Sequence, residues 1–252
     1  MKTLKLIAGA VFLLTFIFAC QKDEDLNFPE SQASLKAMKK PITEKKCEKP
    51  DKDKRDGQYY SGVMIGTQCW MSRNLAYLPE VSPSSEGSDS SPYYYVYGYE
   101  GYRVKDALKT DNYLTYGVLY NWPAAMNGEP ESNAVPSGVR GICPDGWHLP
   151  SDAEWKILTD YLGSSAHIMM KSTSGWKDGG NGDNSSGLNG LPGGFRDPIF
   201  GGFFCLTLDG YFWAATTWGS GSQTRGLHYD LNIVSHNNLY RQEGISIRCL
   251  KD

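Results

Sequence analysis

Residues 141–163 read GICPDGWHLPSDAEWKILTDYLG. Ser151 stands where a helix N-cap belongs. Its hydroxyl can accept the N–H three residues on, and Glu154 at that position can reach back to the Ser151 N–H, the reciprocal pair of a capping box. Trp155, Leu158 and Leu162 then recur on one side at helical spacing, and Gly163 ends the run. Asp145, Asp152, Glu154 and Asp160 gather around this helix. Carboxylates near its start favour the positive end of the helix dipole, so they read as capping groups rather than as an acid/base pair. A second, shorter helical signal lies upstream in YGVLYNWPAAM (residues 116–126), where Pro123 suits a first turn.

The chain on either side alternates rather than repeats helically. Tyr59–Ile65 and Gln68–Leu75 read as two strands joined by Gly66-Thr67, a hairpin or bulged pair. The Ser- and Pro-rich stretch 79–92 reads as loop. Tyr93-Tyr94-Tyr95-Val96-Tyr97 is too aromatic to lie wholly in solvent and is expected as a strand or packed insertion. After Gly163 helical signals stop. Residues 172–194 form a glycine-rich loop region, and Tyr211–Thr217, Arg225–Val234 and Ile245–Leu250 are expected as closing strands. Strands, two helices, irregular loops and strands again predict an α+β domain whose helices flank short antiparallel sheets, with first and last strands as neighbours. With 28 Gly, 16 Tyr and 7 Trp among 252 residues, an all-helical bundle is excluded.

The N-terminal region has a different character. Lys2 and Lys5 precede the apolar run Leu6–Ala19, which is too short to span a bilayer and ends at Cys20. Residues 1–19 are expected to be a signal peptide and residues 20–56 a flexible tether, with 10 basic and 9 acidic side chains from Gln21 to Asp56. Residues 57–252 form the globular domain, with 13 basic against 19 acidic side chains. No basic stripe is present to neutralise phosphates, so nucleic acid is not an expected partner. Mean hydropathy of −0.45 and 40% hydrophobic residues suit a globular chain with a sizeable core.

Several blocks carry a resemblance. GICPDGWHLPSDAEWKILTDYLG, YGVLYNWPAAMNG, GLNGLPGGFR, FWAAT and ISIRCL resemble the signature blocks of the Fibrobacter succinogenes major paralogous domain, in that family's order and across nearly all of residues 57–252. WHLPSDAEW also resembles a block of formylglycine-generating-enzyme-like domains. Together the resemblances imply a C-type lectin-like fold, which hosts sugar binding, protein binding and one oxidase chemistry and so implies no single reaction. LTFIFAC resembles a bacterial lipobox, which implies lipidation of Cys20. Gln21 and the following Lys22, Asp23, Glu24 and Asp25 resemble the export signal of Bacteroidetes surface lipoproteins, which implies an outer-membrane anchor facing the cell exterior. In C-type lectin folds a bridge joins the helix region to the last strand, which implies a disulfide between Cys143 and Cys249. Exported proteins keep disulfides, and Cys69 with Cys205 is the remaining expected pair, with Cys47 left in the tether.

No HExxH, GxSxG, P-loop or dinucleotide fingerprint occurs, and the formylglycine-generating chemistry needs two reactive cysteines near the domain end, where only Cys249 stands. The chain is therefore expected not to be an enzyme. His148, His167, His228 and His236 lie on separate elements and read as satisfied or surface histidines. Asp178, Asn181 and Asp183 carry hard oxygen ligands on a glycine-rich loop and are candidates for weak calcium binding, although Asx turns explain the same composition; no other cofactor is expected. Trp70, Trp147, Trp155 and Trp213 are expected in the core. Tyr211, Trp218, Arg225, His228, Asn232, Asn238, Tyr240 and Arg241 combine aromatic faces, amides and guanidinium groups that suit a sugar ring or protein patch. The same composition also suits the mixed surface of a Tyr-rich domain. The expected function is a monomeric, surface-exposed lipoprotein binding glycan or another extracellular macromolecule. A structural or adhesin-like subunit of a surface fibre is the alternative, and an enzyme the third reading.

Overall fold

The computed structural model describes Cys47 and residues 49–252. Cys20, Lys22, Asp23, Glu24 and Asp25 lie outside the described residues, as does the signal segment. The fold begins earlier than composition suggests. Strand β1 (Asp51–Lys52) pairs antiparallel with β2 (Tyr59–Tyr60), and Asp53 is buried in the intervening turn, gripped by the Arg55 guanidinium at 2.7 Å. Interleaved charge is here a local turn stapled by its own ion pair, not a tether.

Strands β3 (Gly62–Ile65) and β4 (Gln68–Met71) follow as the expected hairpin, with Ile65 opposite Gln68 across Gly66-Thr67. Gly66 takes φ 62°, the left-handed conformation such a two-residue turn requires. The tyrosine run supplies β5 (Tyr94–Tyr95), which pairs with β6 (Leu119–Tyr120). Between them lie two short helices absent from the sequence reading, α1 (Val104–Ala107) and α2 (Asp111–Tyr116). Helix α3 (Trp122–Met126) carries Pro123 in its first turn and is capped by Asn121, whose Oδ1 accepts the Ala124 N–H at 3.1 Å.

After β7 (Trp147–His148) comes α4 (Asp152–Leu162), in which both halves of the Ser151–Glu154 capping box are formed. Gly163 ends α4, but a single 3-10 turn leads directly into α5 (Ala166–Met170). The expectation that helix stops at Gly163 is thus corrected: Ala166 and Met170 are buried beside Leu158 and Leu162, and that packing sustains a helix too short to announce itself.

The remaining strands are β8 (Gly193–Asp197), β9 (Gly202–Leu206), β10 (Asp209–Trp218), β11 (Gly221–His228), β12 (Val234–Tyr240) and β13 (Leu250–Lys251). The run Arg225–Val234, expected as one strand, is instead the end of β11, a turn and the start of β12. Five strands form a sheet ordered β12-β11-β10-β8-β9, and four form another ordered β3-β4-β13-β7. In the second, Leu250 lies opposite Trp70, so early and final strands of the domain are neighbours. The architecture is α+β, with few helices and mostly antiparallel sheets. No helix among the described residues is long and apolar enough to cross a membrane.

Strand alternation divides the interior into two cores. Along β10, Phe212 and Ala214 enter one, with Trp70, Trp155, Leu158 and Leu227, while Trp213 and Ala215 enter the other, with Met71, Tyr120 and Trp147. The four expected core tryptophans are all buried, and each indole N–H finds an acceptor: Gln68 Oε1 for Trp70, Asp51 Oδ2 for Trp147, Trp213 O for Trp155 and Tyr120 O for Trp213. Cys143 and Cys249 are bonded across the core that holds Trp213. The pairing of Cys69 with Cys205 is corrected: Cys69 is bonded to Cys47, because β1 folds back and draws Cys47 onto the β3–β4 hairpin.

Arg248 ties the glycine-rich loop to this scaffold. It is fully buried, donating from Nε to Asn74 Oδ1 at 2.7 Å and from the guanidinium to the carbonyls of Met71, Leu188 and Asn189. Burial pulls its pKa down to about 9. A loop without its own core is thereby held by carbonyls that converge on one cation.

Candidate functional site

The edge strand β12 and the β10–β11 hairpin present the most distinctive exposed geometry. Trp218 pairs with Gly221, and Gly221 pairs with Tyr240. Directly opposed residues on neighbouring strands project to the same face, so the two aromatics share one face at two strand spacings, about 9.5 Å. Gly221 puts no side chain between them. A Cβ there would fall 2.6 Å from Asn238 Oδ1, and the Asn238 amide in turn donates to Trp218 O at 3.1 Å. Trp218 is 68% exposed and Tyr240 48%, with Asn238 also exposed. Further along the same face His236 Nε2 meets Asp152 Oδ1 at 2.9 Å, in the first turn of α4.

Other candidate ligand-binding residues are placed differently. Every residue of β11 is buried, because helices cover one face of this central strand and the Trp213 core the other. Arg225 is therefore spent internally on the Asp152 carboxylate and carbonyl. Tyr211 is buried with its hydroxyl 3.3 Å from Asp209 Oδ2, and desolvation pushes its phenol pKa far up. His228 is enclosed between Asp209 and Ser235. Tyr211, Arg225 and His228 thus do not join an exposed face. Trp218 itself is the last residue of β10. Asn232 is exposed in the β11–β12 turn, at the far end of the strands from Trp218. Arg241 is half-buried with its guanidinium 4.7 Å from the Trp122 ring centroid. Trp218, Asn238 and Tyr240 are the residues the fold brings together.

In the glycine-rich loop, Asn181 Oδ1 accepts the Trp176 N–H and Asp183 Oδ1 the Ser185 N–H, while Asp178 faces Lys177 at 3.7 Å. The Asp183 contact is the local turn that an Asx side chain makes with its own backbone, while Asn181 reaches back across the loop and Asp178 lies in an exposed ion pair. Among the described residues no group of three or more His, Cys, Asp or Glu side chains converges as a metal requires.

His148 lines a cavity of about 460 Å³ with Gln68, Val135, Glu154, Ile157 and Asp252. Desolvation lowers its pKa, but hydrogen bonds to Glu154 (3.1 Å) and Asp252 (2.7 Å) outweigh burial, and the net shift is upward. Both ring nitrogens are engaged, consistent with a satisfied histidine.

The order of these elements, from β3 through the capped helix to the final strand, is also the span recognised by comparison. The sequence model of the Fibrobacter succinogenes major domain matches residues 63–251. The chain belongs to this family. No curated protein and no solved structure matches the chain. The Fibrobacter succinogenes major domain here takes in Trp218, Asn238 and Tyr240, both sheets' central strands and the Cys143–Cys249 bridge; β1, β2 and Cys47 precede the matched span. Sequence reasoning missed Asp209 and Ser235, because their approach to His228 depends on strand register, to which Gly226 alone gave a hint.

Proposed function

We propose that this chain is a surface-exposed lipoprotein whose domain binds glycan or another extracellular macromolecule through the face formed by Trp218, Asn238 and Tyr240. The observation that carries the reading is the exposed aromatic pair on either side of Gly221. Two flat apolar surfaces beside an amide suit a partner with apolar faces and hydroxyl edges, and the excess of acidic side chains favours a neutral partner over a polyanion. The C-type lectin-like character of the fold is part of the same proposal, supported by the neighbouring terminal strands and the bridge from Cys143 to Cys249. The anchor at Cys20 would place the domain at the cell exterior, as a monomer. An adhesin-like role in a surface fibre is the second reading, supported by the apolar cluster of Ile199, Phe200 and Phe204 exposed around the β8–β9 turn.

Paired tryptophan variants test the proposal. Trp155 is fully buried, 4.3 Å from the Trp70 ring centroid, so Trp155→Ala leaves a cavity and costs roughly 3–5 kcal/mol. Trp218→Ala is expected to change stability by no more than about 1 kcal/mol while abolishing capture on a glycan array or in a cell-binding assay. Unchanged capture by Trp218→Ala, or unfolding as severe as that of Trp155→Ala, would remove the face as the binding site.

A further inference from the structure

The opposite face of the same sheet carries a hydrogen-bonded chain of another kind. His228 Nδ1 lies 2.8 Å from Asp209 Oδ1, and His228 Nε2 lies 2.8 Å from Ser235 Oγ. Three adjacent strands supply the groups: Asp209 of β10 stands directly opposite His228 of β11, and Ser235 of β12 stands opposite Gly226. Gly226 makes the approach possible, since a Cβ there would fall 2.3 Å from Ser235 Oγ and 3.0 Å from His228 Nε2. Asp209 is 2% exposed, and the Tyr211 hydroxyl donates to its second oxygen. A buried carboxylate against Nδ1 holds the proton on that nitrogen and leaves Nε2 to accept from the serine. Ser235 itself is partly exposed, on the edge strand of the sheet.

The geometry points to Ser235 as a nucleophile toward short-chain acyl esters, with His228 as its general base and Asp209 as the group that positions His228. Oγ bonds to the ester carbonyl carbon as its proton passes to His228 Nε2, and the carbonyl π pair moves onto oxygen. Asn237 Nδ2 donates to Ser235 Oγ at 2.8 Å, which holds the hydroxyl in place beside His228 Nε2. The intermediate collapses with cleavage of the ester C–O bond, and the alkoxide leaves with the proton from Nε2. Water then gives a proton to Nε2 as it attacks the acyl-serine, and Oγ departs with that proton to restore the serine and release a carboxylic acid. His228 is only 9% exposed, so the carbonyl reaches Oγ from the strand edge, an approach that suits an acetyl-sized group rather than a long chain.

The test treats the folded full-length protein with a fluorophosphonate probe, locates the adduct by peptide mass spectrometry and follows p-nitrophenyl acetate hydrolysis in parallel. An adduct on Ser235 is expected, absent in Ser235→Ala, with hydrolysis at least about 100-fold slower in His228→Gln and unchanged in Leu114→Ala, an exposed position of α2. Should His228→Gln fail to fold, urea-unfolded wild type replaces it, and the adduct must vanish with the fold. No adduct on Ser235 in folded wild-type protein overturns the proposal, as does equal labelling of folded His228→Gln or of the urea-unfolded chain.

Discussion

Glu243 sits 5% exposed in the turn after β12, accepting the Tyr240 N–H at 3.2 Å. Desolvation drives its pKa from 4.5 up to about 8; the Tyr240 N–H and Arg196 pull the other way, and Asp197 adds to the rise. A folded carboxyl with a raised pKa keeps a proton that the unfolded chain has already lost, so stability falls as pH climbs from about 4.5 towards 8, by up to about 1.4 kcal/mol per unit. Glu243→Gln removes the titrating group and is expected to flatten that decline, read as urea midpoints at pH 5 and pH 8; an unaltered pH dependence would contradict it. His148 adds a trend of the same sign, because its raised pKa stabilises the fold below 6.5 and that contribution is lost as pH rises through the folded value. Neither effect was legible in composition, since a glutamate in a turn reads as exposed until Arg196 and β12 close over it.

At the level of elements, the capped helix α4 was readable because its signals are local: Ser151, Glu154 and Gly163 act within one turn of their own positions. Helix α5 and the break at residues 229–233 were not, because both depend on what packs against them. The two disulfides that join described residues separate by loop length. Cys143–Cys249 spans 106 residues and Cys47–Cys69 spans 22; the chain-entropy relation assigns them about 4.8 and about 3.4 kcal/mol. Cys143→Ser is therefore expected to lower the melting temperature by roughly 3–6 °C more than Cys47→Ser. Equal shifts in differential scanning calorimetry would show that loop closure does not set their contributions. Free thiols at 143 and 249 in native protein would refute that pairing outright.

For the whole molecule, the proposed anchor places the domain at the membrane surface through Cys20. Cys20→Ala is expected to yield soluble or uncleaved protein, while alanine at Lys22, Asp23 and Glu24 keeps the lipid and hides the domain from added protease. Wild-type protein without acyl chains by mass spectrometry would end the lipoprotein reading. Sequence alone determined the α+β class, the β3–β4 hairpin, the capped helix and four core tryptophans, because turn chemistry, capping and aromatic content act over a few residues. It also determined the family blocks and the cysteine pair they implied. Tertiary structure alone decided which members of the aromatic, histidine and arginine set reach solvent. Tyr211, Arg225 and His228 differ from Trp218 and Tyr240 not in residue type but in strand position, and a central strand covered on both faces buries whatever it carries. The meeting of Asp209, His228 and Ser235, and the return of Cys47 to Cys69, likewise required the register of strands and the path of β1, which no local stretch of sequence encodes.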